Sequence, residues 1–237
     1  MKTSTIELQT VDGPMATYEA VPSSGRGAVV VIQEAFGVNP HIQDVARRLA
    51  AEGFHVVAPA LFHRTGGGTV PYDDFPSVMA KFAGLDDSSI LVDVDAALTH
   101  LEAAGWRRSQ IGVVGFCMGG RVAFLTAARR SLGAAVSFYG GGIVTARFPQ
   151  FPPLVEEAGR LQTPWLGLFG DLDQSIPVDD VEVLAKATAE APVDTEVVRY
   201  AEAGHGFHCD ARPDHYERGA ATDAWGRTLT WFSDHLR

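Results

Sequence analysis

The chain is short of several features that would each have pointed to a class of protein. It has two cysteines, Cys117 and Cys209, in 237 residues. Two thiols make no disulfide framework, and a reducing, cytoplasmic compartment is the expectation. No run of roughly 18 apolar residues is present, so no membrane-spanning helix is expected. The opening stretch, MKTSTIELQT, lacks the continuous apolar core of a signal peptide. Positive charge is scarce: 19 Lys and Arg stand against 29 Asp and Glu, a formal net charge of −10. That excludes broad nucleic-acid binding, which relies on basic surface to displace counterions. It leaves a small anionic substrate open, because a few local arginines override the global sign. No internal repeat, charge block or linker-like tract divides the chain, so one domain over residues 1–237 is expected. With 46% hydrophobic and 20% charged residues, it can bury a sizeable core.

What is present is a regular alternation. Two short alternating runs, TIELQT and MATYEAV, flank the Asp12–Gly13 pair and read as a hairpin. AVVVIQE (28–34) is a nearly continuous apolar run rich in β-branched residues, as in a strand buried on both faces. Asn39 and Pro40 form a helix start, with Ile42, Val45, Ala46, Leu49 and Ala50 in helical phase and Gly53 as the stop. Further strands are expected at 54–59, 110–116, 132–140, 164–170 and 195–200. Helices are expected around Leu91–Leu101, at 118–130 and 178–189, and over about 213–236. Residues 60–85, rich in Gly, Pro and Asp, read as a long loop or a loop with a short helix, and 141–163 as irregular. This order implies right-handed βαβ units, so the fold class is α/β: a mostly parallel central sheet, an antiparallel N-terminal edge hairpin and helices on both faces. In such sheets functional groups gather in loops at the carboxyl ends of the strands.

Residues 115–120 read GFCMGG, between the strand IGVV and a helical segment. So tight a strand-to-helix turn forces its central residue into strained backbone angles and needs small residues two positions to each side. Gly115 and Gly119 stand there, and Cys117 takes the place of the commoner serine in a G-x-nucleophile-x-G elbow. The turn also sets the sulfur at a helix N-terminus, whose partial positive charge favours thiolate. A nucleophile needs a base, and the base an orienting acid. Asp171 and Asp173, in GDLDQSIP, follow one strand, and His205, in AEAGHGFHCD, follows the next. The order nucleophile, acid, base suits this fold, with either aspartate open as the acid.

Taken together, QEAFGVN (33–39), GFCMGG (115–120), GDLDQSIP (170–177) and EAGHGF (202–207) resemble the dienelactone hydrolases (carboxymethylenebutenolidases) of the α/β-hydrolase fold. The resemblance spans nearly the full length. It implies Cys117 as nucleophile, His205 as base and Asp173, three residues after Gly170 and four before Pro177, as acid. It further implies that Glu34 interacts with the resting thiol and then helps generate the thiolate as substrate binds. A backbone N–H from the Ala35–Phe36 stretch and that of Met118 would form the oxyanion hole.

The implied activity is hydrolysis of a lactone or small enol ester through a thiol acyl-enzyme. Amides suit sulfur poorly, since the tetrahedral intermediate expels thiolate before amine, so a peptidase is disfavoured. Family members that take dienelactone hold its carboxylate with arginines, one a few residues after the histidine. Here Gly206 to Asp210 contain none, and Arg212 and Arg64 are the candidates. Phe36, Phe116, Phe207, Tyr72 and Trp165 are candidate walls of the pocket, although aromatics at such positions more often belong to the core; Phe36 and Tyr72 are taken as substrate contacts. His205, His208, Cys209 and Asp210 resemble a metal cluster by composition, but no second cluster completes a site, and neither metal nor cofactor is expected. The partner is a small lactone or ester, with no nucleic acid and no membrane, for a monomer or small homo-oligomer. A general carboxylesterase or thioesterase with the same site, and a thiol sensor without turnover, are the competing readings.

Overall fold

The computed structural model describes residues 1–237. Eight strands form one sheet: β1 (Lys2–Thr10), β2 (Gly13–Val21), β3 (Gly27–Ile32), β4 (Phe54–Pro59), β5 (Ile111–Phe116), β6 (Ala134–Phe138), β7 (Trp165–Gly170) and β8 (Thr195–Tyr200). Their order is β1-β2-β4-β3-β5-β6-β7-β8. β1 and β2 pair antiparallel, β2 joins β4 antiparallel, and every pair from β4 to β8 is parallel. The expected α/β class with an antiparallel edge hairpin is what the chain adopts. The hairpin turns one residue earlier than the Asp12–Gly13 pair suggests: Val11 and Asp12 form the loop, and Gly13, at φ 112°, opens β2 opposite Thr10.

Six α-helices cover the sheet: α1 (Pro40–Ala51), α2 (Phe75–Phe82), α3 (Asp87–Ala103), α4 (Met118–Arg129), α5 (Val178–Thr188) and α6 (Arg218–His235). α1 starts as its sequence directs. Asn39 Oδ1 accepts the Ile42 N–H at 3.1 Å, and Pro40 takes the first turn, where no donor is needed. α3 begins four residues before Leu91, because Asp86 and Ser89 close a capping box. α2 and a 3₁₀ turn at Leu61–Thr65 give structure to the Gly- and Pro-rich segment.

β3 to β7 bury every residue, whereas β8, at the sheet edge, buries none fully. The central strands are therefore a stiff, dry platform. The carboxyl ends of β3 and of β5 to β8, at Ile32, Phe116, Phe138, Gly170 and Tyr200, all open on one edge.

Candidate active site

The loop after β5 is the tightest on that edge. Cys117 has φ 56° and ψ −117°, and with Tyr139 (φ 40°) it is one of two non-glycine residues at positive φ. Such a conformation costs about 1–3 kcal/mol and persists only where the surroundings hold it. The surroundings here are backbone. A Cβ on Gly115 would meet Gly119 O at 1.8 Å; one on Gly119 would meet Ile32 O at 2.4 Å and Gln33 O at 2.5 Å. The two glycines of the elbow let α4 press against the ends of β3 and β5, and Cys117 is left half-exposed above the sheet.

The loops after β7 and β8 bring the second and third groups. Asp173 Oδ2 lies 2.6 Å from His205 Nδ1. Asp173 is 4% exposed, and its other oxygen accepts from Ser175 N–H (2.8 Å) and Oγ–H (2.6 Å). Burial alone would raise the Asp173 pKa, but the His205 and Ser175 hydrogen bonds hold it below the ordinary value. Burial alone would lower His205. The Cys117 sulfur and the Asp173 carboxylate outweigh it and push the imidazole up to about 10. Asp171 is occupied elsewhere: both its oxygens hold Arg199, at 2.8 and 3.0 Å. Of the two aspartates, Asp173 alone meets the histidine.

Glu34, in the loop after β3, is 1% exposed. Its Oε1 accepts weakly from Tyr139 O–H at 3.5 Å, and its Oε2 has no partner. The N–H groups of Ala35, Phe36 and Met118 donate to no protein atom. All four residues line the same cleft as Cys117, Asp173 and His205, a cavity of about 740 Å³.

Residues 15–236 match the dienelactone hydrolase family. A Salmonella typhimurium protein described as a candidate carboxymethylenebutenolidase is 39% identical over 228 residues, 93% of this chain and 83% of its own. The carboxymethylenebutenolidase of Rhodococcus opacus is 33% identical, over 94% of this chain and 87% of its own. A candidate dienelactone hydrolase from Klebsiella pneumoniae superposes with a TM-score of 0.85 at 36% identity, covering 98% of this chain and 99% of its own.

The chain belongs to the dienelactone hydrolase family. As a dienelactone hydrolase family member with the α/β-hydrolase fold, it is a hydrolase of the carboxylic ester and lactone class. No helix is long and apolar enough to cross a membrane.

Within this family site the arginines divide. Arg64 is not at the cleft, which corrects its assignment to substrate. Its guanidinium grips fully buried Asp93 at 2.6 and 2.8 Å and reaches Asp12, tying the 3₁₀ turn to α3 and the hairpin. Arg212 does line the cleft, its guanidinium 5.6 Å over Phe36 and 5.1 Å over Tyr72. Phe36 and Tyr72 line it too, while Phe116, Phe207 and Trp165 are buried in the core. Sequence reasoning missed Arg147, an exposed cleft residue with no polar partner. It also missed Ser175, Tyr139 and the apolar end of the cleft, where Phe75, Val78 and Phe82 of α2 face Phe148 and Phe151. The aromatic packing around Phe82 is a tertiary contact that no local spacing announces.

The four-residue metal resemblance after His205 disperses. His205 turns to Asp173 and Asp210 to Arg48. His208 stacks on Trp225 in the core, where burial, aided by the nearby charges of His41 and Arg48, lowers its pKa to about 3. Cys209 instead meets Glu34 and His41, with ligand atoms all within 4.8 Å of one another. A second group, Glu19, His55 and His100, lies between β2, β4 and α3.

Proposed function

We propose that the protein opens lactones or small enol esters through a thioester on Cys117, with His205 as acid and base, Asp173 as its orienting acid and Glu34 as the group that engages the resting thiol. One observation carries this reading: a cysteine in a backbone-locked elbow shares a cleft with a histidine whose Nδ1 lies 2.6 Å from a buried carboxylate. With Nδ1–H committed to Asp173, Nε2 is the nitrogen left for the sulfur, the leaving group and water.

The steps follow from the donors. The Cys117 thiolate attacks the carbonyl carbon, and the oxygen takes the negative charge toward the N–H of Met118 and one from Ala35–Phe36. Losing one such donor costs about 3–4 kcal/mol of transition-state stabilisation. The C–O bond then breaks, and the enolate or alkoxide takes the proton of His205 Nε2. In the second half Nε2 accepts a proton from water as that water attacks the thioester carbonyl, and thiolate departs. An enol ester suits this cycle because its leaving group departs easily. Arg212 and Arg147 give the cleft two cations for a substrate carboxylate, with Phe36 and Tyr72 as the apolar walls.

An aryl ester tests the scheme. The expected result is a burst of phenol equal to the enzyme present, followed by steady turnover, with both absent in Cys117→Ala. Unchanged turnover by a folded Cys117→Ala would overturn the assignment. A burst with no later turnover would favour the thiol-sensor reading instead.

A further inference from the structure

Polar groups buried without partners are uncommon, and each calls for a reason. Four such atoms stand out in this chain: Glu34 Oε2, His41 Nδ1, His41 Nε2 and His208 Nδ1. Three of the four belong to two residues of one cluster. Glu34, His41 and Cys209 are all buried, and each offers a ligand atom within 4.8 Å of the other two. Glu34 comes from the loop after β3, His41 from the first turn of α1 and Cys209 from the loop after β8. No mechanistic step above uses His41 or Cys209.

The second cluster of potential ligand atoms makes the contrast. Glu19 Oε1 lies 3.0 Å from His55 Nε2 and 2.7 Å from His100 Nε2. Trp106 Nε1–H donates to His55 Nδ1 at 3.2 Å. An indole nitrogen only donates, so the His55 proton sits on Nε2 and points at Glu19. That nitrogen is occupied by hydrogen, and the group is internally satisfied.

We propose that Glu34, His41 and Cys209 form a binding site for one thiophilic divalent cation of the Zn²⁺ class. The donor set is one sulfur, one imidazole nitrogen and one carboxylate oxygen. Mg²⁺ and Ca²⁺ take oxygen ligands, whereas this mixture suits Zn²⁺. Tetrahedral Zn²⁺ holds its ligand atoms about 3.5 Å apart, so closing the cluster needs about 1 Å of side-chain movement. The surroundings favour it. Asp210 Oδ1, held in place with Arg48, lies 3.3 Å from His41 Nδ1 but out of line for a hydrogen bond; a turn of the ring on binding would bring it into line, the arrangement by which a carboxylate orients a metal-binding imidazole. The Tyr72 hydroxyl is 3.6 Å from Cys209 Sγ. Glu34 and Tyr72 line the substrate cleft, which is the route of entry. Binding exchanges the thiol proton of Cys209, released to solvent, for a metal–sulfur bond, with no change of oxidation state.

The consequence for catalysis rests on the role proposed above for Glu34. An occupied site withdraws that carboxylate from the Cys117 thiol, so hydrolysis falls in step with bound Zn²⁺ and returns with a chelator.

The test uses the chelator-treated full chain, Zn²⁺ by calorimetry and Co²⁺ by absorption. One equivalent of Zn²⁺ is expected to bind, and Co²⁺ to give a thiolate charge-transfer band in the near ultraviolet. The decisive variant is Cys117→Ser. Cys209 is then the sole thiol in the chain, so a surviving band places the cation on Cys209. His41→Gln and Cys209→Ser should each weaken binding by more than the roughly 10–100-fold that loss of an outer-shell partner costs, with circular dichroism checking that they fold. Absence of stoichiometric binding overturns the proposal. So does a band that vanishes in Cys117→Ser, which would put the ion on the nucleophile. Binding as described with undiminished hydrolysis keeps the site and overturns the role of Glu34.

Discussion

Of the histidine–carboxylate groups in this molecule, two are finished in opposite ways. In the loops at the carboxyl ends of β7 and β8, His205 commits one nitrogen to Asp173 and turns the other to the cleft that holds Cys117. Between β2, β4 and α3, Glu19 is shared by His55 and His100, and Trp106 closes the remaining nitrogen of His55. In the second group the hydrogen bonds are spent on one another, which suits a structural brace. The first leaves a basic nitrogen, three unpaired N–H groups and an orphaned carboxylate oxygen around one cavity. The composition of the two groups is nearly the same. What separates chemistry from architecture is which atoms remain without a partner, and whether they face a space.

The comparison breaks most visibly at the aspartates. Asp173→Asn is expected to lower kcat/KM by about 10³–10⁴-fold, since an amide no longer fixes the histidine tautomer. Asp171→Asn, which loses an exposed Arg199 pair, is expected to change it by less than about 3-fold. Steady-state assays of both variants check this, and the reverse order would reassign the acid.

The next effect is on the fold. Gly119→Ala puts a methyl 2.4 Å from Ile32 O and 2.5 Å from Gln33 O. Overpacking of this kind costs about 1–3 kcal/mol, to be read as a lower midpoint in denaturant, with activity falling too because the elbow must shift. Glu19→Gln is the matching change in the brace. It should cost about 1–2 kcal/mol from the lost charged hydrogen bonds while leaving kcat/KM within about 2-fold. Comparable losses of activity from Glu19→Gln and Asp173→Asn would erase the distinction drawn here.

The smallest effect is a titration. His205 is held up near 10 despite its burial, with the Cys117 sulfur the largest of the raising causes. A raised histidine contributes stability that is present in full below its unfolded pKa and is lost as pH climbs through the folded value. The window is therefore from about 6.5 up to about 10. Cys117→Ser removes the sulfur, so its His205 should titrate lower by NMR and its alkaline loss of stability should begin earlier.

Much of this was legible in the residues, for physical reasons. A strand buried on both faces must be apolar throughout, and a Cβ-free position is needed wherever backbones touch, so β3, β5 and the GFCMGG elbow announce themselves. Asn39–Pro40 reads as a helix start because both residues act locally. The readings that failed depend on partners far along the chain. Arg64 looks like any loop arginine until Asp93, on α3, takes it. Ser175 and Tyr139 matter through the groups they face, and Tyr139 adopts φ 40° without a glycine to signal it. Glu34, His41 and Cys209 are brought together from two loops and a helix start, and no spacing in the sequence encodes that meeting.

The central claim is that the carbonyl substrate becomes covalently attached to one sulfur. Acid quenching during steady turnover of an enol or aryl ester, followed by peptide mass mapping, reads it directly. The account predicts the acyl mass on the peptide containing Cys117, released by hydroxylamine as a thioester should be. Acyl mass on Cys209 or on a hydroxyl residue would contradict it, as would turnover with every peptide unmodified and a folded Cys117→Ala variant still active.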